Sequence, residues 1–348
     1  MSRSDSWRVE LLDRKDRVKA LLPRVRGGKL AWSIFKSVAG SGSIELTRTP
    51  AAGIDWLNDR IRITHLAGDV ETPMGVWLIS VPGWDTDGPV THTTLALSDK
   101  CQALNGPIGA PLTYAAGTVV TDKVLSIIRA RGETAISVVP SALTLRTSQS
   151  WKAEDTWLTV ANDLLKTINY ASLRADAAGQ LRVEPYVAPA DRPIAATYGG
   201  DEGDLKMRPA WSDEADIYSL PTGARIQVTG DEATTGMIGK ADLPAAHPLS
   251  AASRGTDWLL VEEGEAASQT VANQIAARRL DEAMQVTRRV SVTHPIDGTD
   301  LNDVVHHGPL SLDAAIVERQ VDLGVGAVVT DAIRHIYTGG DLPWPLVS

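Results

Sequence analysis

The sequence predicts a mainly β protein with an α+β insert, in which two β regions of the same kind flank a small α+β module. Apolar and polar residues alternate through the first third, apolar residues recur at helical spacing in the middle, and alternation returns with one helix in the last third. The predicted regions are residues 1–105, 106–203 and 204–348. A chain of 348 residues is long enough for two or three such domains.

The first region is predicted to be a series of hairpins. Alternation around the polar run 13–16 predicts the first turn. The next hairpin is expected to carry Leu30, Trp32 and Ile34 on one face and to turn at the glycines of 40–42. Residues 71–99 predict a longer hairpin with a turn at the run "DTDG", and its stretch 76–81 is apolar on both faces, which is typical of a strand covered on both sides.

The middle module is predicted to hold two helices and a hairpin. Apolar residues at helical spacing predict one helix that ends near Gly132 and a second around 157–168. The run 176–179 predicts the turn of the hairpin. The Pro- and Gly-rich run 189–204 is interpreted as a linker or long loop.

The last region is predicted to be β with one inserted helix. Ile226 and Val228 alternate within a predicted strand, and residues 287–297 and 326–339 predict two more. Apolar residues at helical spacing over 268–284 predict the helix, with Ser268 as its cap. The carboxylates at 262, 263 and 265 are expected to precede this helix and to favour its N-terminus through the helix dipole.

Composition and charge exclude several classes of function. The formal net charge is −9, which disfavours a protein that grips a nucleic-acid backbone with clustered Lys and Arg. One cysteine, Cys101, excludes an internal disulfide and a Cys-based zinc cluster. The N-terminus has no apolar signal-peptide core, and no stretch approaches the roughly 20 apolar residues of a membrane span.

The sequence lacks the motifs of common catalytic chemistry. The "DTDG" run does not continue with the spacing of a calcium loop, and His306 and His307 are adjacent, so in a strand they would point to opposite faces. We therefore expect no enzymatic activity, no metal and no cofactor. Ten tryptophans accompany one phenylalanine. They are interpreted as core residues or subunit contacts, with a sugar-binding platform as the remaining option.

The order of these segments resembles the tail-hub or baseplate-hub proteins of long-tailed bacteriophages, and in particular the minor tail proteins of actinobacterial phages. The resemblance rests on "DRIRITHLAGDVETPMGVWLISVPGW" followed by "VTHTTLALSDKCQAL", on "SLRADAAGQLRVEPY", on "AAHPLSAASRGTDWLLVEEGEAASQTVANQIAARRLDEA" and on "VTHPIDGTDLNDVVHHG". It extends from about residue 7 to residue 337.

The resemblance implies that the two β regions are β-barrel-like hub domains flanking the small α+β module. In a homotrimer these domains would alternate around a pseudo-sixfold ring. Such a hub would sit at the tail tip of the virion after assembly in the host cytoplasm. Its implied partners are the distal tail protein or tail tube protein, the tape measure protein and tail-tip or fibre proteins, with no membrane anchor. DNA would pass through during genome ejection as cargo.

Four residues in the barrel strands are candidate interface residues: Trp77, Ile79, Ile226 and Val228. Each can equally belong to the core of its own domain. Two other functions stay open on the sequence. One is a receptor- or carbohydrate-binding tail protein that uses exposed tryptophans, and the other is a cell-wall hydrolase, which would need a pair of catalytic carboxylates.

Overall fold

The computed structural model describes residues 5–22, 25–46, 53–87, 90–199, 210–214, 220–229, 236–284, 287–324 and 326–335. The first region forms seven strands, which are β1 (Asp5–Leu12), β2 (Val18–Leu21), β3 (Val25–Ser33), β4 (Gly40–Leu46), β5 (Arg60–Ala67), β6 (Val70–Asp87) and β7 (Val90–Asp99). The long hairpin expected at 71–99 is therefore confirmed as β6 and β7. Residues 88–89 of its predicted turn lie outside the described residues.

The α+β module follows. Its elements are β8 (Leu112–Tyr114), α1 (Val120–Ala130), β9 (Ile136–Val138), β10 (Gln149–Trp151), α2 (Trp157–Thr167), β11 (Arg174–Ala175) and β12 (Leu181–Val183). Both predicted helices are confirmed, and their apolar faces pack together into one core. Gly132 follows the C-cap of α1 with a φ of +87°, which is the left-handed conformation that glycine adopts without strain.

The remaining chain contributes to two different sheets. Strands β13 (Ile194–Tyr198) and β14 (Ala210–Glu214) precede a unit made of β15 (Gly223–Val228), β16 (Ile238–Asp242), α3 (Ala251–Arg254), β17 (Leu259–Gly264) and α4 (Gln269–Met284). The last strands are β18 (Thr287–Pro295), β19 (Val304–His307), β20 (Leu312–Asp322) and β21 (Val328–His335). The mainly β class with an α+β part is confirmed.

One large sheet joins the first and last parts of the chain. Among the described residues it has 13 strands, and its main path runs β14-β18-β21-β20-β3-β4-β7-β6-β5-β1-β2, with β19 and β13 attached beside β20. The connection is the antiparallel pairing of 318–322 in β20 with 29–33 in β3. This path is open at both ends in the described part of the chain. The two β regions are thus hydrogen-bonded to each other within a single subunit.

The unit at 220–284 has a core of its own. Strand β15 pairs antiparallel with β16 and parallel with β17, and α4 covers one face of this three-stranded sheet. Ser268 caps α4, because its hydroxyl oxygen accepts the backbone N–H of Val271 at 3.3 Å. The helix predicted in the last region therefore belongs to a small sheet that is separate from the large one. The boundaries predicted at 105 and 203 stay predictions.

Three local predictions are wrong. The turn expected at 40–42 lies at 34–39, and Gly42 is inside β4, where a methyl group would come within 2.7 Å of the Lys29 carbonyl oxygen. The expected linker contains β13, which pairs in parallel with β19. Glu262 and Glu263 lie in strand β17 and do not directly precede the helix. For β13 the determining contact is with a segment more than 100 positions away.

Candidate functional site

The four candidate interface residues lie on strands that face the interior of this chain. Trp77 is 1% exposed, its indole N–H donates to the Met74 carbonyl oxygen at 2.9 Å, and Ile79 is half-buried against the same core. Ile226 and Val228 are buried in the core that α4 covers. Intrachain contacts therefore cover the side chains of Trp77, Ile226 and Val228. A contact with a second subunit stays a prediction for all four residues.

The opposite face of the small sheet exposes apolar side chains. Register places Gln227 beside Ile238 and Arg225 beside Val261, so these residues share the face that α4 does not cover. Ile238 is 44% exposed, Leu259 40% and Val261 52%. Leu259 and Val261 are neighbours on this face of β17, and Ile238 lies across β15 from them, with Arg225 and Lys240 on the same face. Exposed aliphatic side chains on an uncovered sheet face are candidates for a contact surface. We call Ile238, Leu259 and Val261 the outer sheet patch.

A buried ion cluster joins the first region to the module. Arg60 on β5 pairs with Glu133, which follows α1, and with Asp16 at 2.9 Å. Lys100 is fully buried, pairs with Asp16 and lies 3.7 Å from Glu133. Two cations and two carboxylates balance in this cluster. Sequence reasoning missed it, because Arg60 alternates like any solvent-facing strand residue and its partners lie 44 and 73 positions away.

A second buried network joins the strands of the last part of the chain. Arg319 on β20 donates two hydrogen bonds to Asp331 on β21, at 2.8 and 2.7 Å. The ring of His294 on β18 lies 3.1 Å from the same carboxylate. Burial acts to raise the pKa of Asp331, but hydrogen bonds from Arg319 and His294 outweigh it, so the pKa lies below its ordinary value. This network stabilises strand pairing and has no free nucleophile.

The candidate metal and thiol positions offer no reactive site in the described residues. No group of three His, Cys, Asp or Glu side chains there is placed to hold a metal ion. His306 is half-buried beside Asp313, while His307 on the other side of β19 is fully buried, as the adjacent-histidine argument predicts. Burial raises the pKa of the Cys101 thiol well above its usual value, so this thiol stays protonated.

The described tryptophans are mostly enclosed. Trp77 and Trp151 are buried, and Trp7, Trp32, Trp56 and Trp157 pack partly buried against the cores. Trp258 is 51% exposed at the edge of the small sheet. The side chains of Trp84, Trp211 and Trp344 lie outside the described residues. Within the described residues the aromatic platform expected of a sugar site is therefore reduced to one tryptophan.

None of the described helices is long and apolar enough to cross a membrane.

Comparison with known proteins identifies the fold. Neither a protein-family profile nor a curated protein matches the sequence. The structure is similar to a tail protein from Neisseria meningitidis MC58, with a TM-score of 0.65, 10% identity, and coverage of 94% of this chain and 96% of that chain. It is also similar to the 43 kDa tail protein of prophage MuSo2 from Shewanella oneidensis, with a TM-score of 0.57, 13% identity, and coverage of 94% and 98%.

A third similarity is to the E. coli c3393 protein, a component of the type VI secretion system that is described as structurally similar to the T4 bacteriophage tail proteins gp27 and gp5. The TM-score is 0.51 at 10% identity, with coverage of 92% of this chain and 76% of that chain. In these three comparisons the sequence identity is 10–13%, and the structural match covers 92–94% of this chain. This chain therefore has the fold of these phage tail and secretion-system proteins.

Proposed function

We propose that this protein is a structural component of a phage tail and forms the hub at its tip. The observation that carries the proposal is the similarity to a tail protein and to a prophage tail protein, over 94% of this chain and nearly all of theirs. Shared fold over the full length, with no catalytic constellation among the described side chains, favours an architectural role over an enzymatic one. The hub would lie in the virion, at the tail tip, after assembly in the host cytoplasm.

The ring is proposed to be a trimer. Two β regions in each of three copies present six related surfaces, which suits docking onto a sixfold tail tube or distal tail ring. The pairing of β20 with β3 supports this arrangement, because it fixes the two β regions of one subunit to each other. Because the two β regions of each chain are already joined, a ring of three chains would need further contacts only at the boundaries between chains.

The outer sheet patch is the proposed contact surface within the small sheet. Exposed aliphatic residues on a sheet face leave apolar surface in contact with water. Covering that surface with a neighbouring chain contributes about 25 cal/mol of favourable free energy per Å². Trp77, Ile226 and Val228 would then act indirectly, by holding β6 and β15 in place. Other proposed partners are the tape measure protein and tail-tip or fibre proteins.

The lumen of such a ring would suit passage of DNA. Each chain carries a net charge of −9, and three copies would surround the path with acidic protein. A field of this sign repels phosphate and would prevent the DNA from being held during ejection. DNA is therefore proposed as cargo that passes through and is not bound.

Light scattering on the purified chain tests the trimer, with negative-stain images of the same fraction. A mass of three chains and ring-shaped particles with sixfold features are expected. A chain that stays monomeric and also fails to bind a purified tail-tube or distal-tail ring would end the proposal. If glycan binding at Trp258 were then found, the receptor-binding alternative would replace it.

A matched pair of variants tests the contact surface. Val261→Asp places a charge in the outer sheet patch and is expected to abolish the trimer. Val70→Asp makes the same change at a residue that is 63% exposed in β6, outside the patch, and is expected to leave the mass unchanged. Equal masses for both variants would remove the patch from the interface and leave the ring itself standing.

A further inference from the structure

A cleft of about 590 Å³ opens where the parts of the chain meet. The turn between β3 and β4, the loop after α2, the segment 186–192, helix α4 and strands β20 and β21 all contribute to its lining. Its volume lies in the range of about 300–1,000 Å³ that is usual for binding clefts. No residue of the outer sheet patch lines it.

The cleft is cationic in an acidic protein. One carboxylate, Glu282, lines it, whereas its cationic residues are Lys36, Arg174, Arg192, Arg278 and Arg334. The chain as a whole carries a net charge of −9. Arg278 is paired with Glu282, and Arg174 lies at ion-pair distance from Glu184 and Asp300. Lys36 and Arg192 have no carboxylate at ion-pair distance among the described residues, so a bound anion would supply the missing counter-charge.

Two of the guanidinium groups have capacity left for a ligand. Arg192 donates to the backbone carbonyl oxygens of Val187 and Asn302, at 2.7 to 2.9 Å, and has no carboxylate at ion-pair distance among the described residues. Burial and the nearby charge of Arg174 lower the pKa of Arg192. Nη2 of Arg174 donates to Glu184 at 3.2 Å, whereas its Nη1 is buried without a hydrogen bond in the described structure and lies 3.6 Å from the Asp300 carboxylate.

The lining also contains apolar and aromatic side chains. Phe35, the single phenylalanine of the chain, is 63% exposed on the β3–β4 turn at this cleft. Leu301 and Val317 also line it. The guanidinium carbon of Arg278 lies 4.2 Å from the ring centroid of Tyr186, so the aromatic face supports the cation. A ligand in this cleft meets charge and apolar surface side by side.

We propose that the cleft binds an acidic polypeptide segment, whose carboxylates lie on Arg174 and Arg192 and whose apolar side chains pack against Phe35. Arginine holds carboxylates in bidentate geometry, and arginine clusters are a recurring means of binding acidic motifs. Glu282 already shows this pairing in the cleft, because Arg278 donates to it at 2.9 Å. The mixture of apolar and cationic lining favours a peptide over a free phosphate, which has no apolar part.

The proposed tail role makes a neighbouring tail protein the source of the segment, and the inference rests on that role for this point alone. Binding is measured on the isolated chain, so its outcome is independent of ring assembly. The probe is a labelled octapeptide of alternating Asp and Leu, followed by fluorescence anisotropy. An Asn–Leu octapeptide is the neutral control, and a Lys–Leu octapeptide reverses the charge.

The Asp–Leu peptide is expected to bind at least about tenfold more tightly than the Asn–Leu peptide, and more weakly as salt rises. Arg192→Gln is expected to weaken binding about tenfold. Lys36→Gln changes an exposed residue and should leave the fold intact. It is expected to weaken peptide binding about threefold. Lys29→Gln removes the same charge from an exposed position outside the cleft and is expected to have no effect.

Equal binding of the Asp–Leu and Asn–Leu peptides would overturn the inference. So would equal effects of Lys36→Gln and Lys29→Gln, since the charge would then act at long range. Binding of inorganic phosphate or of a single-stranded oligonucleotide, with no binding of the acidic peptide, would assign the cleft to a different ligand and reject this one. Circular dichroism of each variant verifies that the fold is retained.

Discussion

Replacing Glu133 by Gln removes one charge from the buried cluster that joins the first β region to the module. Glu133 is fully buried and lies between Arg60, which is 4% exposed, and Lys100, which is fully buried. After the change, two enclosed cations share the single carboxylate of Asp16. Uncompensated charge in such a place is among the most destabilising features a fold can carry.

The expected loss is about 3–5 kcal/mol of unfolding free energy, which is the range for breaking a buried ion pair by removing one partner. Hydrogen exchange is the suitable assay, because a chain with several cores need not unfold in one step. Protection should fall first in β5 and at the C-terminal end of α1. Glu71→Gln is the control: its pair with Arg8 is half-exposed, so the change should leave protection in these segments unchanged.

A double variant separates charge from packing. Lys100→Met combined with Glu133→Gln restores the charge balance, because Arg60 keeps Asp16 as its partner at 2.9 Å. Most of the lost stability should return, since replacing both members of a buried pair is often nearly neutral. A loss below about 1 kcal/mol for Glu133→Gln, or no recovery in the double variant, would refute the reasoning that this cluster holds the two parts together.

Three further predictions concern the interior. Because the pKa of Asp331 is depressed in the native state, its contribution to the free energy of unfolding is present above about pH 4 and is lost as the pH falls through the native pKa. Denaturant unfolding at a series of acid pH values should show this loss. Asp331→Asn should remove that pH dependence and cost about 3–5 kcal/mol. Cys101 should react with a thiol reagent in denaturant and stay unreactive in the native chain at pH 8, as measured by absorbance. Gly179→Ala should lower the melting temperature, with about 1–3 kcal/mol lost, because φ is +81° and the new methyl group would lie 2.5 Å from Cγ2 of Val76.

Local patterns predicted those elements whose structure depends on local contacts. Helix α1, its glycine stop and the cap of α4 at Ser268 follow from spacing and from single residues, and the structure confirms all three. The Pro- and Gly-rich run that contains strand β13 predicts a linker or long loop, because the parallel partner of this strand, β19, is more than 100 positions away. Alternation also identified strands without saying which of their faces another element covers.

The ion cluster around Arg60 and the cleft around Arg192 show why neither group of residues could be predicted from the sequence. Each collects residues from segments that are distant along the chain, so no window of sequence contains the pattern. Asp16, Arg60, Lys100 and Glu133 balance in charge and are nearly sealed from water, which makes that cluster a support of the fold. In the cleft, Arg192 has no carboxylate at ion-pair distance among the described residues, and an exposed aromatic ring borders the opening. A balanced cluster has nothing to gain from a ligand, whereas an unbalanced one becomes more stable when an anion arrives. Charge balance therefore separates the structural cluster from the binding one.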